Sequence, residues 1–129
     1  KMKLQIGEAR VVKICSRKWW NSTQVEISEG AEYEFTAEGK WTDFGRTKDA
    51  DGYTCTCMQL FDKCKRAKQD RWFALIGSLD KNEDKYYLIG TKSCIPFNES
   101  GILYCFANDV KGFYWNNWGH VTLQLKRIK

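Results

Sequence analysis

Residues 24–41 read QVEISEGAEYEFTAEGKW. Val25 and Ile27, then Tyr33 and Phe35, alternate with polar neighbours at the period of two that marks a strand with one face buried. Ser28-Glu29-Gly30 between them is turn chemistry, so the stretch reads as two strands reversing on themselves. The same signature recurs outward from this hairpin. FALIGSLDKNEDKYYLIG, residues 73–90, reads as two apolar strands joined by a charged turn, and ILYCFA, residues 102–107, as a buried strand. HVTLQL, residues 120–125, places Val121, Leu123 and Leu125 on one face. Only KCKRAKQDRW, residues 63–72, lacks strand character and reads as a loop or a short helix. Short strands separated by turn signals at intervals of roughly ten residues predict an all-β antiparallel β-sandwich.

The chain of 129 residues fits a single domain, 1–129, without linker, repeat or low-complexity segment. Lys and Arg outnumber Asp and Glu by 21 to 16, a net charge of +5 spread along the sequence rather than gathered in a run. That balance argues against a nucleic-acid binder, and the aromatic residues sit mostly at strand spacing rather than in a basic-aromatic stripe. No apolar run approaches the roughly 18 residues of a membrane span, so membrane insertion is not expected. KMKLQIGEAR at the start has no apolar signal core, consistent with a processed chain or a piece of a longer one.

Cysteines stand at 15, 55, 57, 64, 94 and 105. An even number in a small domain predicts disulfides and an oxidising, secreted or extracytoplasmic location. The sequons at Asn21 and Asn98 are compatible with secretion. Cys55, Cys57 and Cys64 also raise a structural zinc, but the C-x-x-C spacing typical of such sites is missing. Asp80 to Asp84 imitate the start of an EF-hand loop. Lys85 occupies the position of its glycine and Thr91 that of its closing glutamate, so a solvated turn is expected.

The stretch richest in chemistry is NDVKGFYWNNWG, residues 108–119. Asp109 offers a carboxylate and Asn116 and Asn117 offer amide oxygens, hard donors suited to calcium if the segment folds back on itself. Trp115 and Trp118, with Phe113 or Tyr114, offer flat faces for sugar C–H groups. The loop alone is equally compatible with a positive-φ turn whose aromatics pack the end of the sandwich. Catalysis has little support. The single histidine, His120, begins a strand without a nucleophile partner, and Asp43, Asp49 and Asp51, the carboxylates open to a glycosidase reading, are equally explained as ligand contacts.

NDVKGFYWNNWG resembles the calcium loop of the bacterial PA-I-type (LecA) galactophilic lectins through Asn108, Asp109, Val110, Gly112, Tyr114, Asn116, Asn117 and Gly119, in order and without a gap. GKWTDFG, residues 39–45, resembles a second family segment through Trp41, Phe44 and Gly45, with Lys40 inserted. The resemblance spans about residues 25 to 127, with Cys64 to Arg71 looking like an insertion. It implies a jelly-roll or galactose-binding-domain-like sandwich that binds galactose-type glycans through Ca2+ and catalyses nothing. By the same resemblance the ion is held by the side chains of Asp109, Asn116 and Asn117 and the carbonyls of Phe113 and Phe44, with two sugar hydroxyls completing the shell. The expected sugar-contacting set is Trp41, Lys48, Asp49 and Asp51, near the resembling segment, with Trp115 and Trp118, which stand where the family tends to have small residues and are added for their flat faces. Lys48 and Asp51 align where the family has a histidine and a glutamine, so the sugar preference departs from the family's. Modest single-site affinity further implies a homo-oligomer or a multidomain parent. A targeting module of a larger toxin or enzyme, and a relative that keeps the fold without sugar binding, are the alternatives.

Overall fold

The computed structural model describes residues 2–129, the side chain of residue 57 apart. Ten strands form two antiparallel sheets: β1 (Ala9–Cys15), β2 (Asn21–Ile27), β3 (Glu32–Glu38), β4 (Trp41–Asp43), β5 (Arg46–Lys48), β6 (Leu75–Leu79), β7 (Tyr87–Leu88), β8 (Lys92–Pro96), β9 (Gly101–Ala107) and β10 (Asn117–Arg127). One sheet runs β5-β4-β10-β3-β8, with β1 on the other side of β10; the second runs β2-β9-β6-β7. Thr56–Cys64 and Tyr114–Asn116 are 3-10 segments. This is the expected antiparallel β-sandwich.

Its core is the one the alternation predicts. Val25 and Ile27, in the same sheet as Leu75 and Leu103, and Tyr33, Phe35, Val121, Leu123 and Leu125, in the other, are all fully buried in one shared core. Apolar area removed from water on both inner faces drives the pairing of the sheets. β6 is buried along its whole length, which is why its sequence runs apolar rather than alternating. Its outer face carries a second small cluster, Ala67, Ala74, Ile76 and Phe106, edged by Trp20 and Tyr86.

The segment without strand character proves to be a brace. Asn108, fully buried, accepts the Ala67 N–H at 2.9 Å and donates its amide to the carbonyls of Ala67 and Arg71 at 2.9 and 3.0 Å. One side chain thereby holds residues 67–71 against the end of β9. Asp80 likewise ties its turn to β9, accepting from the Ile102 N–H at 2.8 Å.

Two expectations are corrected. The last strand begins before the HVTLQL run, and the loop read from Phe113 to Trp118 ends at Asn116: Asn117, Trp118 and Gly119 already belong to β10, paired with Asp43, Thr42 and Trp41. The three-disulfide framework is not formed. Cys15, Cys64, Cys94 and Cys105 are free, leaving at most one disulfide for the remaining two cysteines; the side chain of Cys57 lies outside the described residues. The large apolar interior supplies what small secreted folds obtain from cross-links.

Candidate functional site

Asp109, just past β9, and Asn116 and Asn117, where β10 begins, lie at one end of the sandwich, with the Asn117 side chain beside the Asp109 carboxylate. Of the seven buried side-chain N and O atoms without a hydrogen-bond partner among the described residues, three are Asp109 Oδ2, Asn116 Oδ1 and Asn117 Oδ1. A buried polar atom without a partner costs roughly 1–3 kcal/mol, so three acceptors left open in one segment mark this end of the sandwich out from the rest of the interior.

Each is aimed by its other contacts. Asp109 Oδ1 accepts the Val110 N–H at 2.7 Å, leaving Oδ2 open. The Asn117 amide nitrogen donates to the Ser16 carbonyl at 3.0 Å, which directs its oxygen away from β1; its side chain lies beside the Asp109 carboxylate. Asn116 closes the 3-10 turn, and its carbonyl accepts the Phe44 N–H at 3.2 Å, clamping the β4–β5 turn to the loop. Phe44 itself stands at φ 45°, left-handed backbone that an aromatic residue rarely adopts. Strain of this kind at the turn that approaches the open oxygens suits a carbonyl held in place for a ligand. The Phe113 carbonyl accepts the Asn116 N–H at 3.4 Å and keeps a second lone pair.

Burial pushes the Asp109 carboxyl up to about 7, with nearby Asp43 adding to the rise. Asp43 is the residue the sequence reading left out of the ligand set. It is buried, faces Asn117 across the β4–β10 pair, and its Oδ2 accepts the Tyr53 hydroxyl at 2.5 Å. Burial, then the hydrogen bond to Asp43, hold the Tyr53 phenol above its ordinary range, so it remains a donor. A second carboxylate therefore borders the site. Its signal in the sequence was the inward position two residues from Trp41 on one strand face.

From behind, the inserted segment seals the loop. Lys65 bridges to Val110, and the Arg66 N–H donates to the Asp109 carbonyl at 3.2 Å. The Arg66 guanidinium lies 3.4 Å from the Phe106 ring centre and 3.6 Å from that of Trp19, and donates to the Trp19 carbonyl at 2.7 Å and the Tyr114 hydroxyl at 3.1 Å. Tyr114, buried, passes its own proton to the Ala107 carbonyl. The aromatic residues of the loop thus divide into one that packs inward and others left outside.

The expected sugar contacts divide too. Trp115 is 63 % exposed, and Phe44 and Phe113 are exposed as well, so this ring is free of the core. Trp118 does not join it. Side chains alternate along a strand, so Trp118 projects from the face opposite Asn117, where it stacks beneath Arg17 at 4.3 Å. Trp41 is fully buried, with its indole N–H donating to the Phe73 carbonyl at 3.1 Å; it is core and offers no sugar face. Asp49 caps its own turn, accepting the Asp51 N–H at 2.9 Å. Asp51 is occupied at both oxygens, by the Thr91 N–H at 2.7 Å and the Thr91 hydroxyl at 2.9 Å. It latches this loop to the strand region after β7. The latch requires Gly90, at φ 64°, because a Cβ there would stand 2.7 Å from Asp51 Oδ1. Asp51→Ala is expected to lower stability by about 1–2 kcal/mol, as charge-assisted bonds to Thr91 are lost. Chemical denaturation of the variant beside the parent chain checks it. Lys48 lies away from these acids, in a cleft with Arg46 and Tyr53.

No family model matches this chain, and no curated protein matches it. Among solved structures it resembles the N-terminal domain of EclA, described as a PllA-like lectin, with a TM-score of 0.69 at 18 % identity, covering 91 % of this chain and 94 % of that one. The chain has a lectin-type β-sandwich fold. At that identity the likeness concerns the fold alone.

Proposed function

We propose that this domain binds carbohydrate, of galactose type, through a calcium ion at the end of the sandwich, and that it catalyses nothing. The observation that carries the reading is the set of unpartnered oxygens on Asp109, Asn116 and Asn117. Hard oxygens with one full charge and two amides fit calcium, and Asp43 adds a second charge close by. Phe44 and Phe113 would contribute carbonyls. Bound there, the ion would offer open coordination positions to two vicinal sugar hydroxyls. The chain's own residues do the rest: Asn116 holds the two segments together, Ser16 orients the Asn117 amide, and Tyr53 holds Asp43. Trp115 supplies the flat apolar face on which a pyranose ring packs.

The fold shared with a PllA-like lectin supports this reading, as does the resemblance of residues 108–119 to a calcium loop. Isothermal titration with methyl galactoside, with calcium and then with a chelator, is the test. Binding that persists in chelator overturns the calcium requirement, and calcium binding without sugar binding overturns the lectin reading. Trp115→Ala is expected to weaken the sugar about tenfold, a stacking contribution of roughly 1–1.5 kcal/mol, while calcium affinity stays the same. One such site binds a monosaccharide modestly, so strong attachment to glycoconjugates would come from several sites held together.

A further inference from the structure

Beside the calcium site lies a cleft of about 300 Å3 lined by Arg46, Thr47, Lys48, Tyr53, Thr54 and Cys55. Its two cations arise from register. β5 pairs with β4 so that Arg46 stands opposite Asp43 and Lys48 opposite Trp41. Directly opposed residues share a face, so both basic side chains project on the side of Asp43 and Tyr53. Thr42 and Thr47 occupy the other face, with their hydroxyls 3.0 Å apart. Both cations approach the same ring: Arg46 Cζ lies 5.6 Å and Lys48 Nζ 5.9 Å from the centre of Tyr53.

Neither has a carboxylate within ion-pair distance among the described residues, although Lys3, Lys65, Lys85 and Lys129 each do. Arg46 spends one nitrogen on neutral acceptors, the Tyr53 hydroxyl at 3.4 Å and the Met58 sulfur at 3.2 Å. Asp43 attracts it through space, but its Oδ2 is already taken by Tyr53. A guanidinium carries five donors in a fork that matches an oxyanion, and here most are uncommitted. The path to the metal is short in sequence and space: Arg46 follows Phe44 by two residues, and Tyr53 bonds Asp43 beside Asp109.

We propose that this cleft is a subsite for an anionic group, carboxylate or sulfate, on a saccharide whose neighbouring hydroxyls occupy the calcium site. The preferred ligand is then an acidic galactose-type sugar, and the inference rests on the calcium reading above. Arg46 forks onto the anion, Lys48 adds a second charge, and Thr54 lines the cleft beside them.

Titration of the intact chain in calcium, at low salt, with methyl galactoside, methyl galacturonoside and galactose 6-sulfate tests it. At least one acidic sugar should bind on the order of tenfold tighter than the neutral one, a preference that shrinks as salt is raised. In Arg46→Gln and in Lys48→Gln the acidic-to-neutral ratio should fall, and in the double variant approach one. Because the ratio is taken within each folded variant, a general loss of affinity does not mimic the result. Equal binding of neutral and acidic sugars, or a preference that survives the double variant, overturns the subsite while leaving calcium-dependent binding intact. Inorganic sulfate competing as well as galactose 6-sulfate overturns it also, since the cleft would then be an ion site independent of sugar. Loss of all sugar binding in calcium points instead to failure of the underlying reading.

Discussion

Asp109→Asn is expected to abolish calcium binding, lowering affinity by about a hundredfold or more, while leaving the calcium-free protein as stable as the parent or more stable at pH 8. Calcium sites depend steeply on ligand charge, and this substitution removes the carboxylate at the centre of the donor set. The stability half follows from burial. The folded-state pKa of about 7 exceeds the ordinary 3.8, so the folded calcium-free protein prefers the protonated acid. Its favourable contribution is complete below pH 4 and is lost as pH rises through 7, on the order of 4 kcal/mol in all. Asparagine keeps an oxygen for the Val110 N–H and carries no charge to bury. Calcium in the proposed site would reverse the balance by binding the ionised form. It should therefore release a proton at neutral pH and bind about tenfold more weakly for each unit below 7. Unfolding across pH 4 to 8 in chelator, with calcium titrations in parallel, measures all of this. A variant that loses stability at pH 8 would show that Asp109 is a structural acid instead.

Arg66→Ala is expected to cost about 3 kcal/mol, and Arg66→Met less than half as much. The guanidinium lies against Phe106 and Trp19, so alanine leaves a cavity under three rings. Yet its Nε and Nη2 are buried without partners, so the charge is incompletely compensated. Methionine refills the space, keeps favourable contact with the rings and removes that desolvation cost, as replacing an imperfectly paired buried ion often does. Urea denaturation of both variants separates packing from hydrogen bonding. Equal losses would mean that the bonds to the Trp19 carbonyl and the Tyr114 hydroxyl dominate.

The strands were legible because their signal is local. Val25, Ile27, Tyr33 and Phe35 alternate within a few residues, and the structure buries every one. The cluster of Asp109, Asn116 and Asn117 was legible for a similar reason, being confined to nine residues, and the structure leaves an oxygen of each unpartnered among the described residues. The sugar-contacting set was less so, since each member depends on partners remote in sequence. Asp51 is engaged by Thr91, forty residues away, and Trp41 by Phe73, thirty-two away. Trp118 was placed with Trp115 for a subtler reason: β10 begins three residues before the HVTLQL run, and strand alternation then turns the Trp118 ring to the face opposite Asn117.

What the sequence by itself determined was the sandwich, its core faces and a compact group of hard oxygen donors, because period-two burial and clustered ligands are properties of short windows. Tertiary structure alone decided which of those oxygens remain unpartnered, that Asp43 joins them, and that Arg46 and Lys48 share a cleft facing Tyr53. Those outcomes follow from pairing register and from hydrogen bonds closed across the fold, and no local stretch of chain specifies either.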